Sequence, residues 1–166
     1  MLTPQQLIER YRLEPHPEGG WYKEYYRSTE QVPADGLPGR YNGPRSFATS
    51  IYFLLEQGEY SAFHKIQSDE CWHFYAGDPM QVFVLGKDGK MQIVELGADI
   101  EAGQTFHFVV PAGLWFASRP SPGSKFSFVG CTVAPGFEFA DFELADCDEL
   151  SALYPQYSDL VKTLCV

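Results

Sequence analysis

Short apolar stretches follow one another from Ser46 to Pro135, and this succession constrains the fold more than any other feature of the chain. Each stretch is rich in the β-branched and aromatic residues that favour strands. Turn sequences such as Gly-Lys-Asp-Gly at 86–89 and Pro-Ser-Pro-Gly at 120–123 separate them. The stretches are SFATSIYFLLE, SAFHKIQ, CWHFYAG, MQVFVLG, MQIVELG, QTFHFVVP, LWFASR and KFSFVGCTVAP. Because no helical pattern lies between them, they predict an antiparallel sandwich or barrel.

Further elements are predicted on both sides of this β region. Thr3, Pro4 and Gln6 combine an N-cap, a proline at the first helical position and a capping box, so a short helix is expected to begin there. The other predicted elements are a candidate strand within HPEGGWYKEYYRS (16–28), a loop over 29–44, a candidate ninth strand at FEFADFEL (137–144) and a helical tail over 148–164 that Pro155 divides.

The composition argues against several classes of function. A length of 166 residues fits a single domain over 1–166. The net charge is -10 and the 12 basic residues form no cluster, which argues against binding to nucleic acid or to an anionic membrane. No apolar run approaches the ~20 residues of a membrane span, and no signal peptide is recognised. The 4 cysteines form no CxxC motif, so a cytoplasmic protein with reduced thiols is expected.

The stretch GEYSAFHKIQSDECWHFYAGD has the spacing of a metal site that lacks one ligand. Gly58, His64, Glu70 and Gly77 follow the order Gly-x5-His-x-Ile-x3-Glu-x6-Gly, and Ile66 stands where a second histidine would complete the set. Such a pattern is open to three interpretations: a metal site that has lost a ligand, a pocket with another use, or ordinary core.

Strand alternation divides the residues of this stretch between two faces. Glu70, Trp72 and Phe74 share one face of their strand, whereas His73 takes the other. If Glu70 faces the interior, His73 points away from it. The alternation therefore argues against His73 as the missing ligand.

A second motif, VVPAGLWFAS, makes the whole pattern similar to the two motifs of the cupin superfamily. Its spacing is Pro-x-Gly-x2-Phe, with Phe116 at the last position. In metal-binding cupins two histidines and a glutamate of the first motif, with a histidine of the second, hold the ion. The corresponding positions here are His64, Ile66, Glu70 and Phe116. Two of these four bring no donor atom, so the resemblance implies no resident metal cofactor and at most a weak divalent site at His64 and Glu70.

The chain also resembles the uncharacterised cupin 5 family over nearly its whole length. The matching blocks are HPEGGWYKEYYRS, TSIYFLL, SAFHKIQSDECWHFYAGDP, VPAGLWFAS and GCTVAPGFEFADFEL. The resemblance implies an all-β fold, the cupin double-stranded β-helix or jelly-roll barrel, with a short N-terminal helix and a C-terminal helical tail. It further implies a homodimer. Metal-free sugar-nucleotide epimerases are among the structural analogies of this family, although a shared fold is weak evidence for function.

A pocket for a small organic ligand explains these residues better than a metal site does. Barrels of this size can enclose one small molecule. The predicted lining is Ile66 together with the flat rings of Trp72, Phe74, Phe116 and Tyr52. His64 is the candidate general base and Glu70 its partner. Arg45, just before the first long strand, is either a contact for an anionic ligand at the barrel mouth or a surface residue.

Three functional hypotheses follow from these residues. The first is a metal-independent isomerase or epimerase that acts on a sugar-like or nucleotide-like ligand. The second is a metal-dependent oxidoreductase such as a dioxygenase, and the third is a non-enzymatic binding or storage-type cupin.

His16 is interpreted as a loop histidine and His107 as a strand residue without a partner. Two glycines follow Glu18, and we interpret Glu18-Gly19-Gly20 as a backbone requirement rather than as chemistry.

Overall fold

The computed structural model describes residues 2–166. Within that range the α-helices are α1 (Pro4–Tyr11), α2 (Cys147–Leu153) and α3 (Ser158–Thr163). The strands are β1 (Glu14–Pro15), β2 (Trp21–Arg27), β3 (Gln31–Val32), β4 (Arg45–Ser46), β5 (Thr49–Glu56), β6 (Ser61–Lys65), β7 (Asp69–Gly77), β8 (Met80–Leu85), β9 (Met91–Leu96), β10 (His107–Val110), β11 (Trp115–Pro120), β12 (Phe126–Ala134) and β13 (Glu143–Leu144). Short 3₁₀ turns lie at Ala34–Gly36, Phe139–Asp141 and Pro155–Tyr157.

Two antiparallel sheets pack face to face. One sheet has the strand order β1-β2-β5-β12-β7-β10 and the other β13-β6-β11-β8-β9. Neighbours in each sheet are far apart in sequence, as in β5 beside β12 and β6 beside β11. This is the mostly-β, cupin-like sandwich that the sequence predicts.

Strand β5 shows how alternation builds the layers. Phe53 and Leu55 point into the core between the two sheets, whereas Leu54 lies in a separate cluster on the outer side. All three are almost completely buried because both faces of this strand are covered. A strand buried on both faces reads as a continuous apolar run rather than as clean alternation, which is what SIYFLL displays.

The helices cover the outer faces of the sheets. Helix α1 packs Leu7 against the outer side of the six-stranded sheet. Its capping box is present, with the Gln6 amide donating to Thr3 Oγ1 at 3.3 Å and the Thr3 amide donating to Gln6 Oε1 at 3.0 Å. The C-terminal helices bury Leu150, Val161 and Leu164 against the outer side of the five-stranded sheet.

Most predicted elements are confirmed, and two need correction. All eight predicted stretches contain strands, and the turns at 86–89 and 120–123 join β8 to β9 and β11 to β12. The segment 137–144 contains a three-residue 3₁₀ turn and the two-residue β13, so it is not a full ninth strand. The predicted loop over 29–44 includes the short strand β3. No helix within 2–166 is long and apolar enough to cross a membrane.

Candidate functional site

A cavity of about 280 Å³ enters the space between the two sheets. Its walls come from β2, β5, β6, β7 and β12, from the loop before β2 and from the segment after β12. The lining residues are His16, Glu18, Tyr22, Glu24, Arg27, Thr49, Ile51, Phe53, Ser61, His64, Ile66, Glu70, Trp72, Cys131, Val133, Phe137, Glu138, Phe139 and Phe142. Ten of these 19 side chains are aromatic or apolar and nine are polar or charged. Sites for small organic molecules likewise combine apolar surface with placed polar groups.

His64 is held by two acceptors at the same ring nitrogen. Its Nδ1 lies 2.7 Å from the carbonyl oxygen of Ala62 and 3.0 Å from Oε2 of Glu18. A carbonyl oxygen can only accept, so Nδ1 carries a proton in either charge state of the ring. The nitrogen that gains or loses a proton is therefore Nε2.

The partner of His64 is Glu18, which sequence reasoning treated as part of a backbone motif. The Glu18 carboxylate is buried and also accepts a hydrogen bond from Ser61 Oγ at 3.3 Å. Glu70 lines the same cavity and acts on His64 through its charge. The predicted His64–Glu70 pair is therefore replaced by a direct His64–Glu18 contact with Glu70 nearby.

Two glycines allow Glu18 to reach the interior. Gly19 and Gly20 have φ values of 109° and 75°, which side chains disfavour. A Cβ atom at Gly20 would come within 2.5 Å of the carbonyl oxygen of Leu54. The expected backbone requirement is confirmed, and its consequence is that the loop presses against β5 and brings Glu18 to His64.

The surroundings of His64 favour its charged form. Burial works to lower the pKa of His64, but the contact with Glu18, the charge of Glu70 and the Ala62 carbonyl outweigh burial, so the pKa is raised above its ordinary value. The imidazole packs against the ring of Phe116, with centroids 4.1 Å apart. His64 is thus a fixed, relatively basic group inside a largely apolar cavity.

The pKa of the Glu70 carboxyl group lies close to neutral pH. Burial raises the pKa of Glu70 to about 7; the charge of Glu18 adds to the rise and the charge of His64 opposes it. Trp72 and Cys131 lie near enough to favour the charged form, although Trp72 Nε1 makes no hydrogen bond within the described chain. Near pH 7 Glu70 therefore exists in both forms and can give or take a proton.

His16 adds a further titratable group to the cavity. Its Nδ1 accepts a hydrogen bond from the Glu18 amide at 3.1 Å, so in the neutral ring Nε2 carries the proton. Burial lowers the pKa of His16, and the charge of His64 adds to this effect while Glu18 opposes it. His16 is therefore a neutral donor beside the cavity rather than only a loop residue.

Arg45 does not face the cavity, which corrects the prediction of a ligand contact or a surface residue. It is 3% exposed, and its Nε donates to Asp141 Oδ2 at 2.6 Å. Its Nη1 donates to the carbonyl oxygens of Asn42, Gly43 and Pro44. Arg45 anchors the 3₁₀ turn Phe139–Asp141, which carries aromatic rings to the cavity.

The predicted aromatic lining is found in part. Ile66 and Trp72 line the cavity. Phe116 is buried directly behind His64, and Phe74 packs against the core between the sheets, so both lie close to the site without lining it. Tyr52 is on the outer side of the sheet, stacked on Tyr25 with centroids 4.5 Å apart, and its predicted place in the pocket is wrong.

The histidines outside the cavity lie on the outer side of the same sheet. His73 points away from the interior, as alternation predicts, and its Nε2 lies 3.3 Å from Thr132 Oγ1. Its ring stacks on His107, with centroids 5.0 Å apart. His107 therefore has a partner that the sequence did not reveal.

The side chains at the four cupin metal positions do not fit a resident metal ion. Strand pairing places Phe116 opposite His64, so the two motifs meet as they do in the superfamily pattern. Ile66 and Phe116 offer no donor atom, so Nε2 of His64 and the Glu70 carboxylate are the only donors at these four positions, fewer than the three or four ligands of common metal sites. Within 2–166 no group of three or more His, Cys, Asp or Glu side chains could hold a metal ion.

Sequence reasoning missed the residues that reach the cavity from loops. They are His16 and Glu18 before β2, and Phe137, Glu138, Phe139 and Phe142 after β12. The available signal was a histidine and a glutamate beside two adjacent glycines, because loops often carry functional side chains on a rigid scaffold.

Comparison with known proteins agrees with this fold. The model of Cupin_5, described as Cupin superfamily (DUF985), matches residues 5–145. The Uncharacterized protein YML079W of Saccharomyces cerevisiae is 33% identical over 159 residues, covering 90% of this chain and 79% of that protein.

Solved structures show the same relationship. Protein SO0799 from Shewanella oneidensis has a TM-score of 0.88 at 38% identity, covering 100% of this chain and 99% of that one. A hypothetical protein from Leishmania major has a TM-score of 0.87 at 35% identity, covering 99% of each chain. Oxalate decarboxylase from Bacillus subtilis has a TM-score of 0.54 at 15% identity, covering 90% of this chain and 36% of that one, which is a likeness of fold alone. The chain belongs to the Cupin_5 family of the cupin superfamily.

Proposed function

We propose that this protein binds a small sugar-like or nucleotide-like molecule between its sheets and isomerises or epimerises it without a metal ion. The observation that carries the proposal is the contact at Nδ1 of His64. Ala62 and Glu18 hold that nitrogen, which leaves Nε2 as the group that exchanges a proton. A histidine oriented in this way by a carboxylate is well suited to general base catalysis.

The proposed reaction is a proton transfer next to a carbonyl group. Nε2 of neutral His64 takes the proton from the carbon beside the carbonyl, and the electron pair of that C–H bond moves to the carbonyl oxygen. The protonated form of Glu70, whose pKa is about 7, donates its proton to this oxygen. Nε2 of His64 then returns its proton to the opposite face of the turned intermediate, which gives the epimer, or to the neighbouring carbon, which gives the isomer. Glu70 takes a proton back from an oxygen of the intermediate as the carbonyl re-forms, so both groups are restored. The neutral His16 offers a further hydrogen-bond donor to the same cavity.

Hydrogen exchange with solvent tests this reaction directly. The protein is incubated in D₂O with a chelator and a panel of aldoses, ketoses and nucleotide sugars, and loss of the proton beside the carbonyl is followed by ¹H NMR. Exchange is expected in the wild type and is expected to fall by about a hundredfold or more in His64→Ala. His107→Ala is the matched control, since His107 lies on the outer side of the sheet.

The outcomes also separate the alternatives. Exchange that survives in His64→Ala would show that His64 is not the base. Consumption of O₂ with a panel member that appears only when iron, manganese or nickel replaces the chelator favours the metal-dependent oxidoreductase. Binding of a panel member without any exchange favours the non-enzymatic cupin.

We also propose that the protein forms a homodimer through the outer side of the six-stranded sheet. Tyr25, Tyr26 and Tyr75 are 52%, 49% and 45% exposed there. Exposed aromatic residues that lie together often mark association surfaces. Sedimentation equilibrium is expected to give a dimer for the wild type and weaker association for Tyr75→Glu. A wild-type monomer at all concentrations contradicts this proposal.

We propose a cytoplasmic location because the cysteines are free thiols. Cys71, Cys131, Cys147 and Cys165 are all free. Free thiols are typical of proteins in reducing compartments. Subcellular fractionation followed by immunodetection of the native chain tests this location, and recovery outside the cytoplasmic fraction contradicts it.

A further inference from the structure

We infer that the cavity accepts an uncharged polyhydroxy carbonyl compound, such as a free monosaccharide, and excludes phosphorylated and nucleotide-linked forms. This inference rests on the proposed function and narrows its substrate class. It follows from the charges that line the cavity, from the state of its one guanidinium group and from its size.

Carboxylates outnumber cations along the cavity wall. Among the described residues that line it, Glu18, Glu24, Glu70 and Glu138 are acidic, and Arg27 is the only lysine or arginine. Glu18 lies against His64, so a charged His64 is already matched by that carboxylate. The remaining groups leave the cavity with a negative balance. A phosphate would bring further negative charge into a site that already repels it.

Arg27 is engaged by four hydrogen bonds to acceptors of the protein. Its Nε and Nη2 donate to the two carboxylate oxygens of Glu24, each at 2.9 Å. Its Nη1 donates to Glu138 Oε1 at 2.8 Å, and Nη2 also donates to the carbonyl oxygen of Phe137 at 2.9 Å. Bidentate contacts between arginine and carboxylate are among the stronger hydrogen bonds in proteins. A phosphate would have to compete with two carboxylates for this guanidinium.

The contacts of Arg27 also fix the part of the cavity wall that they join. Arg27 joins β2 to the segment after β12, and Thr49 Oγ1 accepts a hydrogen bond from the Phe137 amide at 2.9 Å. The cavity of about 280 Å³ lies just below the range of roughly 300 to 1,000 Å³ that is typical of ligand pockets. Its aromatic walls suit the apolar faces of a sugar ring, and its histidines and carboxyl groups suit hydroxyl and carbonyl groups. A compact neutral molecule satisfies all of these features.

Titration with inorganic pyrophosphate tests the exclusion of anions without requiring turnover. Isothermal calorimetry and NMR are used to measure binding at the cavity in the wild type and in the double variant Glu24→Gln/Glu138→Gln. The wild type is expected to show no binding at the cavity at millimolar concentration. The double variant frees Arg27 and is expected to bind pyrophosphate about tenfold more tightly or better, as one new charge-assisted hydrogen bond would give. Glu143→Gln, which removes a surface partner of Lys65, is the matched control and is expected to behave as the wild type.

One result would overturn the exclusion of anions, and another would overturn the cause assigned to it. One is binding of pyrophosphate in the wild-type cavity. The other is a double variant that keeps the wild-type melting temperature and still fails to bind, because the carboxylates would then not be the cause. If the double variant does not fold, the single variant Glu138→Gln is used in its place, since it leaves the Glu24 contact intact.

A panel of monosaccharides tests the positive half of the inference. Each sugar is offered free, as its phosphate and as its nucleoside diphosphate form, and binding is measured by calorimetry. At least one free sugar is expected to bind at least tenfold more tightly than its own charged forms. Binding by charged forms alone, or by no free sugar, overturns the assigned class. Binding of a free sugar without hydrogen exchange would instead refute the proposed reaction and leave the substrate class standing.

Discussion

Replacing Glu70 with glutamine is expected to change how the stability of the protein depends on pH. Glu70 is 8% exposed, and burial raises its pKa from 4.5 to about 7. Between these two pH values the folded state holds a proton that the unfolded chain has released. The free energy of unfolding of the wild type therefore falls as pH rises through this window. Glu70→Gln keeps the shape of the side chain and removes the titrating group.

The gap between the two pKa values sets the size of the effect. The interval from 4.5 to about 7, at 1.36 kcal/mol per pH unit, corresponds to roughly 3 kcal/mol. At about pH 4 the wild-type carboxyl is neutral, so the variant and the wild type are expected to be similarly stable. At about pH 8 the variant is expected to be more stable by up to roughly 3 kcal/mol, because it no longer buries a charge.

Urea denaturation at a series of pH values from about 4 to about 8 measures this difference. His64 adds a pH dependence of its own, since a raised pKa means that stability is lost as pH rises through it. The comparison between variant and wild type at each pH gives the part due to Glu70, which includes the effect of its charge on the pKa of His64. Glu143→Gln changes an exposed carboxylate and is expected to leave the wild-type curve unaltered. A Glu70→Gln curve parallel to that of the wild type would refute the argument.

Three further substitutions test the scaffold around the cavity. Arg45→Ala is expected to lower the free energy of unfolding by about 3 to 5 kcal/mol, since it leaves Asp141 buried without its partner. Chemical denaturation measures this loss, and a loss below ~1 kcal/mol would contradict the prediction. Gly20→Ala is expected to cost roughly 2 kcal/mol or more because of its positive φ and the nearby Leu54 carbonyl; a thermal melt identical to that of the wild type would show that the loop tolerates a Cβ atom. Tyr52→Phe is expected to leave the affinity for any cavity ligand unchanged, and a loss of affinity in calorimetry would place Tyr52 in the site.

The strands were predictable because their pattern is local. β-branched and aromatic residues between strong turn signals identify each strand without knowledge of its neighbours. The same alternation also predicts on which face of β5 Tyr52 lies. Ile51 and Phe53 line the cavity, so the residue between them must face the other way. The error at Tyr52 came from choosing an aromatic residue by type rather than by its position in the strand.

The loop residues of the site were not predictable in the same way. Glu18 reaches His64 across a long separation in sequence, and only the folded path of the loop brings the two together. Arg45 and Asp141 likewise lie 96 residues apart, so the sequence around one residue does not indicate the other as its partner. The first cupin motif located His64, Ile66, Glu70 and Trp72, whereas the partner of His64 depended on long-range packing.

The protonation state of His64 shows whether Glu18 and Ala62 hold Nδ1, so that Nε2 is the nitrogen that exchanges a proton. With ¹⁵N-labelled histidine, NMR distinguishes protonated from unprotonated ring nitrogens for each of the 4 histidines as pH is varied. Nδ1 of His64 is expected to stay protonated throughout and Nε2 to titrate with a raised pKa. Glu18→Gln is expected to lower this pKa. A neutral His64 with the proton on Nε2 and a free Nδ1, or a titration unaffected by Glu18→Gln, would contradict the account.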